Sequence, residues 1–278
     1  MIEDSCKKSK IDNKHESALF DYVNSFVNDV NVTQSKITKL KYIMDIMLCV
    51  YDIEDDEALD KYDEVLDKLL DDKTVKNQPK TKEELKQIIN DSIKEKSNEC
   101  DLNFIDTSLI TDMSGLFRDS TFNGDISKWN VSNVKYMTGM FFESNFNKDI
   151  SKWNVSNVKD MAYMFCESNF NKDISKWNVS NVKDMREMFY GSKFNQDISK
   201  WDVSNVKNMS EMFVGSKFNQ DISNWDVSNV EYMNTMFNNS KFNQDISNWD
   251  ISNAENTEDM FKGCPLENKP EYQPKFEQ

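Results

Sequence analysis

At 278 residues the chain has room for two domains. Its 49 acidic and 34 basic side chains give a formal charge of −15 and a pI near 4.6, which argues against nucleic acid or an anionic membrane as partner, since either requires a basic patch. Five cysteines, with neither a C-x-x-C pair nor framework spacing, exclude a disulfide scaffold and suit a reducing setting better than an oxidising one.

Residues 1–15 are polar, charged and without periodicity, the composition of a disordered arm. They hold no apolar run for a secretory signal, and Cys6 lacks the apolar stretch that a lipoprotein signal places before it. No apolar run of about 18 residues follows, so no membrane insertion is expected. Two locations stay open on these residues: a cytoplasmic chain, or one whose signal lies outside this sequence.

Residues 16–72 read as a small all-α domain, a bundle of three helices. Leu19, Tyr22, Phe26 and Val30 share one face; Ile37, Leu40, Met44, Met47 and Tyr51 a second; Leu59, Tyr62, Leu66 and Leu69 a third. Residues 73–81 are polar and reach the first proline, Pro79, as a linker does. Thr81 and Glu84 then have capping-box spacing ahead of Leu85, Ile88, Ile89 and Ile93, which predicts a helix over 82–96 within a capping segment, 82–100.

From residue 101 to 264 the chain is a repeat array of about seven units. Trp129, Trp153, Trp177, Trp201, Trp225 and Trp249 recur every 24 residues, and so do Phe122, Phe146, Phe170, Phe194, Phe218 and Phe242. With that Phe as position 1, the unit reads F-N-x-D-I-S-x-W-x-V-S-N-V-x-x-M-x-x-M-F-x-x-S-x. Residues 101–117 are a degenerate forerunner, with Leu102, Ile105, Ile110, Met113, Leu116 and Phe117 on the apolar positions.

Ile198, Trp201 and Val203 have the L-x-x-L-x-L spacing of a leucine-rich repeat, and the alternation through Asp202 predicts a short strand over positions 7–11. Val206, Met209, Met212 and Phe213, at i, i+3, i+6 and i+7, predict a short helix, with Ser204 ahead of it as a cap and Gly191, Gly215 and Gly263 placed for left-handed stops. The expected fold class is an α/β solenoid: a leucine-rich-repeat-like array of 24-residue strand–helix units with a parallel concave sheet, preceded by the all-α domain. Over residues 265–278, Pro265, Pro270 and Pro274 end the pattern, in a tail that either crosses the last unit or trails.

The wording D-I-S-x-W-[ND]-V-S-N-V-x-x-M-x-x-M-F, the entry segment PKTKEELKQIINDSIKEKSNECDLNFIDTSLITDMSGLF (79–117) and the exit MFKGCPLENKP (260–270) resemble the BspA-like leucine-rich repeat surface proteins, a bacterial repeat family first catalogued in mycoplasma and spirochaete lipoproteins. The resemblance covers about residues 79–274. It implies protein–protein contact or adhesion at a cell surface, and no catalytic residues.

On the expected concave face two columns point outward. Position 7 reads Lys128, Lys152, Lys176, Lys200, Asn224, Asn248, and position 9 reads Asn130, Asn154, Asn178, Asp202, Asp226, Asp250. The face starts cationic and ends anionic, at about 4.8 Å per step, which suits docking of a protein or a surface glycan of opposite charge pattern. A third column, from Asp125 to Asp245 at position 4, could hold calcium as in some β-helices, but the glycine-rich nonapeptide is absent and Asx turns are the expected role. The tryptophans and methionine pairs are expected in the core.

His15 is the single histidine and has no nucleophile near it, and no P-loop, nucleophile elbow, zinc spacing or Rossmann fingerprint occurs. The expectation is a non-enzymatic interaction or adhesion module without cofactor or metal. The alternative is an intracellular scaffold whose helical domain engages a second partner; the oligomeric state stays open.

Overall fold

The computed structural model describes residues 78–276, all within one unit that begins at Gln78. The arm and helical domain expected over 1–72, and most of the linker expected over 73–81, lie outside the described residues.

Helix α1, Lys82–Glu95, opens the described chain. The Thr81 hydroxyl accepts the Glu84 N–H at 3.1 Å, and the Glu84 carboxylate reaches back to the Lys80 N–H at 2.7 Å, so two donors at the helix start are met. Glu83 and Glu84 sit in the first turn and Lys94 in the last, which suits the helix dipole. Leu85 and Ile89 are buried in the same core as Leu102 and Ile105, while Lys82 pairs with Asp112 at 2.8 Å. The helix thereby covers the degenerate first unit.

Units 1 to 6 begin at Phe122, Phe146, Phe170, Phe194, Phe218 and Phe242. In units 1 to 5 the apolar side chains at positions 1, 5, 8, 10, 13, 16, 19 and 20 are all buried. They stack on their own copies: Phe146 on Phe170 at 6.3 Å, Phe165 on Phe189 at 5.8 Å, Trp153 on Trp177 at 6.5 Å. The Phe columns interlock, with Phe189 and Phe194 at 4.4 Å. Parallel bridges at position 15 run in register through the array, from Asp112–Tyr136 to Tyr232–Asn256.

Backbone donors at positions 16 to 23 divide by parity. Even positions donate to the next unit: Met161 to Asp184 at 3.0 Å, Tyr163 to Arg186 at 2.8 Å, Phe165 to Met188 at 2.9 Å, Glu167 to Tyr190 at 2.7 Å. Odd positions close tight turns within their own unit, Met164 to Met161 at 3.2 Å and Cys166 to Tyr163 at 3.2 Å. The position 17 N–H goes to the side chain at position 15 where that is Asp or Asn, as from Ala162 to Asp160 Oδ1 at 2.9 Å, so in unit 2 every N–H of the segment is satisfied without a helix.

The structure differs here from the strand and helix expected of each unit: among the described residues there is no extended strand, and α1 is the single α-helix. Turns closed by i+3 bonds bury side chains at i, i+3 and i+4, the spacing a helix would give, so apolar periodicity cannot tell them apart. Backbone sign can. Positions 18 and 22 are left-handed, as at Tyr163 (φ 60), Glu187 (φ 53), Glu211 (φ 58), Glu167 (φ 52) and Gly215 (φ 62), and an α-helix tolerates no such residue every fourth position. Gly191, Gly215 and Gly263 are left-handed within these turns rather than as helix stops.

Over positions 7 to 12, side chains make the links that a strand's backbone would have made. The Trp201 indole N–H donates to the Ile174 carbonyl at 3.1 Å and the Asn205 amide to the Ser180 carbonyl at 2.9 Å, each in the preceding unit. An asparagine ladder does the same at position 2, where the Asn195 N–H donates to Asn171 Oδ1 at 3.0 Å. At position 23 the buried Ser192 hydroxyl accepts the Phe194 N–H at 3.0 Å.

Both ends are specialised. Gly124 stands where later units carry Lys or Gln, because a Cβ there would lie 2.0 Å from the Cys100 carbonyl oxygen. At the far end the tail crosses the last unit in two 3-10 turns, Pro265–Asn268 and Pro270–Tyr272. Leu266 is fully buried, Lys269 Nζ ends the asparagine ladder on Asn243 Oδ1 at 2.9 Å, and Phe276 meets Phe261 edge-on at 6.3 Å. Cys264 replaces the position 23 serine where no further unit follows, and it is buried.

Three outcomes are expected. Gly124→Ala forces backbone against backbone and should cost about 1–3 kcal/mol in chemical denaturation. Thr235 is a β-branched residue at φ 53 whose buried hydroxyl has no hydrogen-bond partner, so Thr235→Gly should raise the melting temperature by about 2–4 °C. For acid, the backbone N–H of the serine two residues on holds Asp125, Asp149 and Asp197 below the usual carboxylate range, and at Asp173 the Ser175 hydroxyl leads. That stability is present above the unfolded carboxylate pKa of about 3.9 and is lost as pH falls through the lower folded values. Burial raises Asp184 and Glu187 and opposes this, but fewer groups are involved. A melting temperature measured against pH should therefore fall below about pH 4.

Candidate interaction surface

The residues expected to face a partner are all exposed: Lys128, Lys152, Lys176, Lys200, Asn224 and Asn248 at position 7, and Asn130, Asn154, Asn178, Asp202, Asp226 and Asp250 at position 9. They flank the buried tryptophan on turn segments, not on a concave sheet as the sequence had suggested, because the sheet-like backbone contacts run at position 15 instead.

Position 9 also closes an Asx turn. Asn178 Oδ1 accepts the Ser180 N–H at 3.1 Å and its hydroxyl at 2.7 Å; Asp202 Oδ1 accepts the same groups of Ser204 at 3.1 and 2.6 Å. Asn130, Asn154, Asp226 and Asp250 repeat the backbone contact at 3.1, 3.2, 3.1 and 3.0 Å. Asparagine and aspartate thus close the turn alike. The change from neutral to anionic between units 3 and 4 is not imposed by the turn.

A third column belongs to the same strip and could have been found by reading position 14 down the repeats: Lys135, Lys159, Lys183, Lys207, Glu231, Glu255. Its backbone is fixed by bonds such as Lys183 N–H to the Lys159 carbonyl at 2.8 Å, which leaves the side chain free to vary. Lys183 Nζ donates to Asn205 Oδ1 at 3.2 Å, the Asn205 amide donates to the Ser180 carbonyl, and the Ser180 N–H donates to Asn178. Positions 9, 12 and 14 therefore form one hydrogen-bonded surface. Position 14 changes from cationic to anionic one unit later than position 9 changes from neutral to anionic, and Lys207 and Glu231 pair across the boundary at 2.9 Å.

Elsewhere the chemistry is quiet. Cys166 is buried, and burial together with nearby Glu187 pushes its thiol up to about 12, so no nucleophilic thiolate forms near neutrality. Arg118 lies over Phe142 at 4.1 Å and Arg186 over Tyr163 at 5.2 Å. The position 4 carboxylates cap the serine two residues on, for example Asp197 and Ser199 at 2.8 Å. Among the described residues no group of three His, Cys, Asp or Glu side chains is placed to hold a metal ion. None of their helices is long and apolar enough to cross a membrane.

Comparison with known proteins gives a family and little beyond it. No curated protein and no solved structure matches the chain. One family model matches twice, over residues 84–192 and 166–273, and the overlap of the two matches reflects the internal repeat. Together they cover all but the first two residues of α1, every unit and most of the tail, more than half of the chain, which therefore belongs to the repeat-containing family described as "Mycoplasma protein of unknown function, DUF285".

Proposed function

We propose that this protein is a non-enzymatic interaction module, a BspA-like, leucine-rich-repeat-like solenoid that docks a protein partner through the charged strip at positions 7, 9 and 14. The observation that carries this reading is the freedom of charge on a fixed frame. Asn and Asp serve the position 9 turn equally, and Lys and Glu are held by the same backbone bond at position 14. The frame would accept the two kinds mixed along the array just as well. Instead both columns change in the same direction, as complementarity to a polar partner requires. Adhesion at a cell surface is the role that the family resemblance implies for such docking.

The full chain with K128E/K152E/K176E, immobilised against an extract of surface proteins at physiological salt, should capture its partner at least about tenfold less well than the parent. The three lysines are exposed, so the melting temperature should not change. Undiminished capture removes the strip from the function.

A further inference from the structure

The strip has a property that a single array does not use: its first two units and its last two are complementary in charge when a second copy is reversed. Units 1 to 3 present Lys128, Lys152 and Lys176 at position 7, with neutral asparagines at position 9. Units 5 and 6 present Asp226 and Asp250 at position 9, with Glu231 and Glu255 at position 14, whereas unit 4 carries Asp202 together with Lys200 and Lys207. Turning a second copy end for end sets unit n of one chain against unit 7 − n of the other.

Lys128 then meets the unit of Asp250, Lys152 that of Asp226, and Lys176 that of Asp202. The two-fold axis repeats each pairing, so every contact occurs twice, as in an isologous interface. At position 14, Lys135 and Lys159 likewise oppose Glu255 and Glu231. Near the axis units 3 and 4 oppose Lys176 and Lys183 to Lys200, Asp202 and Lys207, so the attraction comes from the outer units, 1 and 2 against 6 and 5. A parallel arrangement would set lysine on lysine and aspartate on aspartate along the whole strip.

The Trp129–Trp153, Trp153–Trp177 and Trp225–Trp249 rings stack at interplanar angles of 1°, 4° and 6°, so the ring planes do not tilt between these units. The chain's charge of −15 opposes association at long range, which leaves the pattern within a Debye length of about 10 Å to decide orientation.

We infer that the partner of the charged strip is a second copy of this chain, in an antiparallel homodimer that sets the lysine-bearing units of one copy against the acidic units of the other. This rests on the reading of the strip as a docking surface.

The test exchanges residues that the chain already uses at the same positions, so the turns and backbone bonds are kept. K128N/K152N/K176N/K135E/K159E gives the first half of the strip the acidic character of the second. D202N/D226N/D250N/E231K/E255K gives the second half the basic character of the first. Sedimentation equilibrium of the full chain should show a wild-type dimer at about 0.1 M salt, with its dissociation constant rising at least about tenfold towards 0.5 M. Each variant alone should be monomeric and the two mixed should form a 1:1 dimer. A wild-type chain that stays monomeric, or variants that dimerise as the parent does, overturns the proposal. If the wild type is monomeric and K128E/K152E/K176E still loses protein capture, self-pairing fails and the docking strip stands; if capture is also unchanged, both fail.

Discussion

The bond on which the array depends is the one from an even-numbered N–H of positions 16 to 22 to the carbonyl of the next unit, as from Tyr163 to Arg186. A helix would have spent that donor inside its own unit. Sending it outward requires left-handed residues at positions 18 and 22, each costing roughly 1–2 kcal/mol when it is not glycine. Tyr163, Glu187, Glu211 and Thr235 accept this cost because their N–H groups find partners only if the neighbouring unit is in place. Unit and neighbour therefore form together or not at all, which is the nearest-neighbour behaviour of a repeat array.

Dependence on a neighbour makes the two ends the points of greatest cost. At the start, α1 supplies Leu85 and Ile89 where a preceding unit would have supplied its apolar column, and Gly124 lets the chain pass close to Cys100. At the finish, Leu266 and Phe276 cover the last aromatic layer and Lys269 occupies the acceptor that a seventh asparagine would have used. Neither device resembles a repeat, and each answers a specific group left open by the repeat beside it.

The same frame separates what structure needs from what it leaves free. Position 8 is tryptophan in units 1 to 6, where it fills the core and carries the indole donor to the preceding carbonyl. Position 9 must close a turn but may carry a charge or not, and position 14 is held by backbone alone. Charge at these two positions is a variable the chain can set unit by unit without disturbing its core. A directed gradient in a variable of that kind is what the proposed docking would use, whereas a gradient in a core position would record only packing.

From the sequence by itself came the period, the buried set, the capping box at Thr81 and the charge columns at positions 7 and 9, because burial and exposure follow from the alternation of apolar and polar residues however the backbone bends. The local conformation did not come with them. Met209, Met212 and Phe213 carry a helical spacing that tight turns reproduce, and the glycines that mark left-handed backbone at positions 18 and 22 alternate with Glu, Tyr and Thr, which conceals the signal within any single unit. Only the tertiary structure decided between them. The deciding term is the hydrogen bond to a unit 24 residues away, worth having only once the units are stacked, and invisible to a reading that takes one unit at a time.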